Sequence, residues 1–155
     1  MIRQVKREDV QKLAALLRSL PSDLPRFGLE PLEVTVKRVA EALGAGGDAN
    51  TLLVAEEAGE ITGFVHTHWQ PSVLHSGGEG FVSALFIHPG YRGRGIGQAL
   101  LTRVQAEGKR RGCSRLLLLN MRDCVSYERG FYAKLGWRER PDAANFVFDL
   151  KGKAS

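Results

Sequence analysis

Six residues in the middle of the chain, Arg92, Gly93, Arg94, Gly95, Ile96 and Gly97, combine cationic side chains with glycines in a pattern that suits an anion. They lie between a segment with strand character and one with helical spacing. Glycines at such a junction remove the Cβ atoms that would keep a ligand away from the backbone. The free N–H groups of the helix start then face the ligand, and arginines add charge and donors matched to phosphate. The chemistry this predicts is the holding of a pyrophosphate. Two better-known phosphate loops fail on spacing. No Gly-Lys-Ser or Gly-Lys-Thr is present, and a dinucleotide fingerprint begun at Gly93 or Gly95 would need glycine where Gln98 or Leu100 stands.

Other chemistry-bearing residues are more dispersed. Tyr132 follows Phe131 and points about 100° away from it on a helix, so the two cannot share one core stripe. His66 and His68, two apart on a strand, share a face that could look onto a cleft, although partly buried histidines are common in cores. Glu79, Ser83 and Asp123 are further candidates for moving a proton, and a water relay would need none of them. Cys113 and Cys124 are too far apart for a C-x-x-C site and read as ordinary thiols.

The elements that must position these residues follow from periodicity. A short strand over Ile2 to Val5 is followed by a helix carrying Val10, Leu13, Ala14, Leu17 and Leu20, with Glu8 and Asp9 at its start. Pro21 and Pro25 break it. Pro31 opens a second helix striped by Leu32, Val36, Val39, Ala40 and Leu43. Thr51 to Glu57 and Thr62 to Trp69 read as a hairpin joined through Ala58, Gly59 and Glu60. Gly80 to His88 is the fourth strand, and a helix with Ile96, Leu100, Leu101 and Val104 on one face runs to Gly112. Leu116 to Leu119 reads as a strand buried on both faces. Tyr127, Phe131 and Leu135 mark a last helix ended by Gly136, and Asn145 to Leu150 a last strand. The order β-α-α-β-β-β-α-β-α-β makes the fourth and fifth strands parallel partners in a right-handed β-α-β unit, in an otherwise antiparallel sheet.

With 155 residues, 43% apolar and 25% charged, the expectation is one globular domain, residues 1–155. No apolar run is long enough to span a bilayer, and the opening MIRQVKREDV is charged where a signal peptide is apolar, so a cytoplasmic protein is expected. A net charge of +5 favours an anionic partner. Nucleic acid would fit that charge as well as a phosphorylated cofactor, but no basic tract interleaved with aromatics is present for a nucleic-acid groove.

The stretch FVSALFIHPGYRGRGIGQALL resembles the central motif of the GNAT superfamily of N-acetyltransferases, whose Gln/Arg-x-x-Gly-x-Gly/Ala signature is met by Arg92, Gly95 and Gly97. GFYAKLGW, residues 130–137, resembles that family's last helix, and the element order agrees to about residue 150. The resemblance implies a GNAT-type mixed α+β fold in which the fourth and fifth strands splay and admit the pantetheine arm of acetyl-CoA, a placement that suits a point where strands part. It assigns pairing with pantetheine to the backbone of Leu85, Phe86 and Ile87, and the pyrophosphate to Arg92, Gly93, Arg94, Gly95, Ile96 and Gly97. A backbone N–H in the Leu85 to Phe86 region would polarise the thioester carbonyl. Tyr132 is implied as the general acid that protonates the departing thiolate.

Two positions depart from that family's pattern. Val125 stands where many members carry an asparagine that binds pantetheine, so Asn120 is the candidate for that contact, and Glu128 replaces a small residue. The implied reaction is direct acetyl transfer to a primary amine in a ternary complex, with no metal. The acceptor would meet the loop from Pro21 to Pro31, the region of Trp69 and the segment from Arg138 to Asn145, with Phe27 and Trp137 as possible lining. A small-molecule amine is favoured over a protein or peptide amine. A non-catalytic module that senses coenzyme A is the rival reading.

Overall fold

The computed structural model describes residues 1–19, 37–39, 41 and 47–151. Its elements are β1 (Ile2–Gln4), α1 (Val10–Arg18), β2 (Asn50–Glu57), β3 (Glu60–Gln70), β4 (Glu79–Ile87), α2 (Ile96–Arg110), β5 (Arg115–Leu118), α3 (Val125–Glu128) and α4 (Phe131–Lys134). The sheet order β1-β2-β3-β4-β5 is antiparallel except for the parallel pair β4 and β5. This is the mixed, mostly antiparallel architecture expected. The chain divides into two compact units, Met1–Leu119 and Asn120–Ser155.

In the first unit the two helices cover opposite faces of the sheet. Leu13, Leu16 and Leu17 of α1 bury themselves against Val54, Ile61 and Phe64. Side chains alternate along β3, so Phe64, His66 and His68 share the α1 face while Val65, Thr67 and Trp69 point to the other. On that other face Gly108 of α2 runs so close to Trp69 that a Cβ on it would stand 3.5 Å from the ring. The β2–β3 turn has φ of 51° at Ala58 and 82° at Gly59, the two positive values a tight two-residue hairpin requires.

Asp9, almost wholly buried, fastens the start of α1 to the sheet edge. Its carboxylate takes a fork from Arg3, 2.7 Å from Nη1 and 2.9 Å from Nη2, and a third bond from the Lys6 N–H at 2.7 Å. Arg3 Nε reaches Glu56 at 2.6 Å. The Arg3 guanidinium, chiefly through its hydrogen bond, holds the Asp9 carboxyl below its ordinary range despite burial.

Several expectations are corrected. The first helix ends at Arg18, closed by Ser19, and Leu20 lies outside the described residues. The second helix falls almost wholly outside them; 37–39 and 41 are helical. The fifth strand is half-buried along its length, not enclosed on both faces, because it is the last strand of the sheet. The helix through Tyr127, Phe131 and Leu135 is two short helices. Gly130, with φ of 62°, enters the left-handed region between them and breaks the i→i−4 ladder. Gly136 does stop α4: its N–H bonds the Ala133 carbonyl and that of Trp137 bonds Tyr132, a Schellman closure. Asn145 to Leu150 forms no strand, and Phe146 and Phe148 are 91% and 85% exposed. An alternating sequence becomes a strand only where another edge takes its N–H and C=O groups.

Candidate active site

The cleft of the first unit begins where β4 leaves β5. The parallel ladder joins Glu79 to Arg115 through Val82 to Leu118 and runs no further. At the same point β3 pairs His66 with Ala84 and then Thr67 with Val82, so Ser83 is the extra residue of a β-bulge. A bulge bends its strand and strengthens the local twist, and β5 itself ends at Leu118, the partner of Val82. The splay expected for these strands is present, and no strand among the described residues is hydrogen-bonded to the far side of β4 beyond Val82.

Alternation decides which backbone groups that open edge presents. The His88 N–H bonds the Thr62 carbonyl at 2.8 Å, so every second residue back from it, Phe86 and Ala84, turns its backbone towards β3. Leu85 and Ile87 turn theirs to the open side. The Ile87 carbonyl accepts from Arg92 Nε at 3.2 Å.

The loop after β4 leads into α2 through glycines in the left-handed region. Gly93 and Gly95 both have φ of 78°, and Gly95 is the residue that caps α2. A side chain there would be strained, though a Cβ on either would meet nothing within 4 Å. The first bond of the helix is from the Ala99 N–H to the Gly95 carbonyl, so the N–H groups of Ile96, Gly97 and Gln98 have no helical acceptor. Arg94 lies over the Tyr91 ring, 4.9 Å from its centroid, with Glu57 at 3.8 Å. The first turn therefore offers backbone donors, the positive end of the helix dipole and two exposed guanidinium groups, which together suit a phosphorylated ligand.

Behind the bulge the two histidine rings stand 4.3 Å apart, centroid to centroid. His68 Nε2 lies 3.0 Å from Ser83 Oγ. His66 is buried deeper, its Nε2 has no hydrogen-bond partner among the described residues, and burial, helped by the neighbouring His68, pushes its pKa down to about 4. His66 also lines, with Leu13, Leu17, Arg38, Val39, Leu52 and Phe64, a cavity of about 200 Å³.

In the second unit Tyr132 lies on α4 with Phe131 and Trp137 packed edge-on, their ring centroids 4.9 and 6.0 Å away. Burial pushes its phenol up to about 12, with Cys124 adding to the effect. Asn120 Oδ1 accepts from Ser126 Oγ at 3.0 Å. Among the candidate site residues, Leu85, Ile87 and Arg92 to Gly97 thus gather along one strand edge and the loop after it. The bulge at Ser83 and the seat of Arg94 on Tyr91 were not foreseen; Tyr91, three residues before Arg94, was the available signal for the second. Among the described residues no group of three His, Cys, Asp or Glu side chains could hold a metal ion, and no helix is long and apolar enough to cross a membrane.

Known proteins share both the sequence pattern and the fold. The pattern of the acetyltransferase (GNAT) family matches residues 14–137. An acetyltransferase of Photorhabdus laumondii subsp. laumondii is 30% identical over 118 residues, covering 76% of this chain and 73% of that protein. The crystal structure of a ribosomal-protein-alanine N-acetyltransferase from Brucella melitensis biovar Abortus superposes with a TM-score of 0.71 at 22% identity, over 97% of this chain and 98% of that one. An aminoglycoside N-acetyltransferase, AAC(6')-Iy, solved in complex with CoA, gives a TM-score of 0.70 at 17% identity, over 97% of this chain and 100% of that one. The chain belongs to the GNAT superfamily of N-acetyltransferases and is an acyltransferase enzyme.

Proposed function

We propose that the enzyme moves an acetyl group from acetyl-CoA to the primary amine of a small molecule by direct attack. The observation that carries this reading is the continuity of the open edge of β4 with the glycine loop that starts α2. Pyrophosphate fits the N–H groups and guanidinium groups of Arg92 to Gly97. An extended pantetheine arm lying back along β4 pairs with the backbone of the Leu85 to Ile87 edge, as an added strand would. A CoA complex on this fold, in the aminoglycoside enzyme, supports the cosubstrate.

The amine lone pair attacks the thioester carbonyl while both substrates are bound, and a backbone N–H near Leu85 stabilises the oxygen that gains charge. No activated nucleophile is required of the protein. Tyr132 gives its proton to the departing thiolate; a phenol whose pKa lies near 12 is protonated at neutral pH and able to donate. Asn120 supplies an amide contact to the arm. The protein or peptide amine is the second acceptor class, favoured by the likeness to the ribosomal-protein-alanine enzyme.

A panel of amines, assayed by release of free thiol from acetyl-CoA, tests this reading. Small primary amines are expected to accept the acetyl group. Calorimetry showing no binding of acetyl-CoA would overturn it.

A further inference from the structure

We infer that Glu57, at the end of the β2–β3 hairpin, is a built-in competitor for Arg94: its carboxylate holds the guanidinium that a phosphate must win, and so sets how tightly acetyl-CoA is held and how fast CoA leaves. The inference rests on the phosphate placement proposed above and adds to it a residue from outside the glycine loop.

The sheet register brings the hairpin to that loop. β3 and β4 stay paired as far as Gly63 and Ile87, and the His88 N–H bonds the Thr62 carbonyl at 2.8 Å, so the β2–β3 turn stands beside the chain that follows β4. Gly63 permits the closeness: a Cβ there would come 2.7 Å from Ile87 Cδ1 and 3.0 Å from the Phe86 carbonyl oxygen. Lys12 Nζ of α1 donates to the Gly59 carbonyl at 2.6 Å and steadies the turn.

The charges at this end of the hairpin call for a cation. Glu57 and Glu60 are register partners, and like charges directly opposite repel across a ladder. Glu56, the preceding residue, is already engaged by Arg3 at 2.6 Å. The cation is Arg94, whose Nη1 lies 3.8 Å from Glu57 Oε1. At that distance the two form an ion pair without a hydrogen bond, and both side chains are more than half exposed. The buried Arg3–Asp9 fork, with bonds of 2.7 and 2.9 Å, is a fastening; an exposed pair of this length opens at little cost.

A seat beneath Arg94 limits where its charge can go. The guanidinium lies over the Tyr91 ring, 4.9 Å from its centroid. Tyr91 is fixed in turn by His88, whose ring meets it edge-on at 5.4 Å and whose Nδ1 accepts from the Gly90 N–H at 3.0 Å, closing the turn between them. Arg94 can therefore turn from the carboxylate to a phosphate at the first turn of α2 without leaving the aromatic face. Arg92 is anchored differently, through Nε to the Ile87 carbonyl.

A phosphate that takes Arg94 gains a charge-assisted contact and gives back the relief that Arg94 brought to Glu57 and Glu60, so only the difference appears as affinity. When CoA departs, Glu57 recovers the guanidinium. Glu57 is thus a positioning residue that acts through Arg94 and touches no reacting atom.

The test is calorimetric titration of acetyl-CoA and of S-acetylpantetheine, which lacks the phosphates, into the parent protein, Glu57→Gln, Arg94→Ala and the double variant. Glu57→Gln keeps the shape of an exposed side chain and removes its charge. It should bind acetyl-CoA about three- to fivefold more tightly, the upper part of what an exposed ion pair is worth, and bind S-acetylpantetheine as the parent does. Stopped-flow release of CoA should slow by about the same factor. The gain should shrink as salt is raised, because exposed charges are screened. In the Arg94→Ala background the Glu57→Gln gain should disappear. A gain that persists there shows Glu57 repelling the ligand directly and overturns the inference, as does an equal gain for S-acetylpantetheine or an unchanged affinity for acetyl-CoA. Each of those results leaves the phosphate placement standing; a parent protein that binds no acetyl-CoA removes both.

Discussion

Arg92 reaches back across its own loop to hold the Ile87 carbonyl, Nε to oxygen, at 3.2 Å. That bond ties the glycine loop to the last outward carbonyl of the open β4 edge, so the two halves of the proposed cosubstrate site are fixed to each other by a side chain that also carries charge. Replacing Arg92 with alanine should weaken acetyl-CoA about 10- to 100-fold, the equivalent of about 1.5–3 kcal/mol for a hydrogen bond to a charged group. Arg92→Lys restores charge without the planar fork and should recover only part of that loss. Calorimetry on both variants checks the ordering; equal affinity of the alanine and parent proteins would contradict it.

Arg94, held over Tyr91, has a different signature. On the proposed reading it holds the cosubstrate in ground and transition states alike, so Arg94→Ala should raise KM for acetyl-CoA more than it lowers kcat. Steady-state kinetics with an accepted amine give the answer. A collapsed kcat at unchanged KM would place Arg94 in the chemical step.

Tyr132→Phe should keep the fold and cosubstrate affinity, since the edge-on ring contacts with Phe131 and Trp137 survive loss of the hydroxyl. The leaving thiol of the proposed reaction has an ordinary pKa near ~8.5, taking cysteine as the model. A phenol raised to about 12 is a weaker acid than that thiol, so its help is expected near the lower end of the usual range, about 10² in kcat. An unchanged rate between pH 6 and 9, with chemistry rate-limiting, would remove Tyr132 from the mechanism.

The Arg3–Asp9 fork gives stability a pH dependence of predictable sign. Asp9 has a depressed folded-state pKa, so its contribution is fully present above the ordinary aspartate value of 3.8 and disappears as pH falls below that value. Asp9→Asn should cost about 3 kcal/mol at pH 7, the lower end for breaking a buried pair, because Arg3 retains Glu56. It should also flatten the acid side of the stability curve. Urea unfolding at several pH values measures both effects.

What the sequence made legible was local. The glycines and arginines from 92 to 97, the strand before them and the amphipathic helix after them all appear where residue type and spacing place them. Gly130 was harder to read, since the i, i+4 spacing of Tyr127, Phe131 and Leu135 continues through a residue whose left-handed φ breaks the helix. The bulge at Ser83 left no trace, because a bulge is a relation between two strands and β4 alone alternates normally. The strand read over Asn145 to Leu150 rested on β propensity, which reports a fit to a sheet and does not supply the neighbouring edge.

Calorimetric titration of acetyl-CoA and of S-acetylpantetheine, which lacks the phosphates, into the parent protein and Gly95→Val tests the central claim most directly. The account predicts that the parent binds acetyl-CoA at least 100-fold more tightly than S-acetylpantetheine. In Gly95→Val that advantage should largely vanish while the protein stays folded, because the new side chain stands in the open space before the first N–H groups of α2 and forces a φ of 78° on a branched residue. Equal affinity of parent and variant for acetyl-CoA would contradict the placement of the pyrophosphate at this loop.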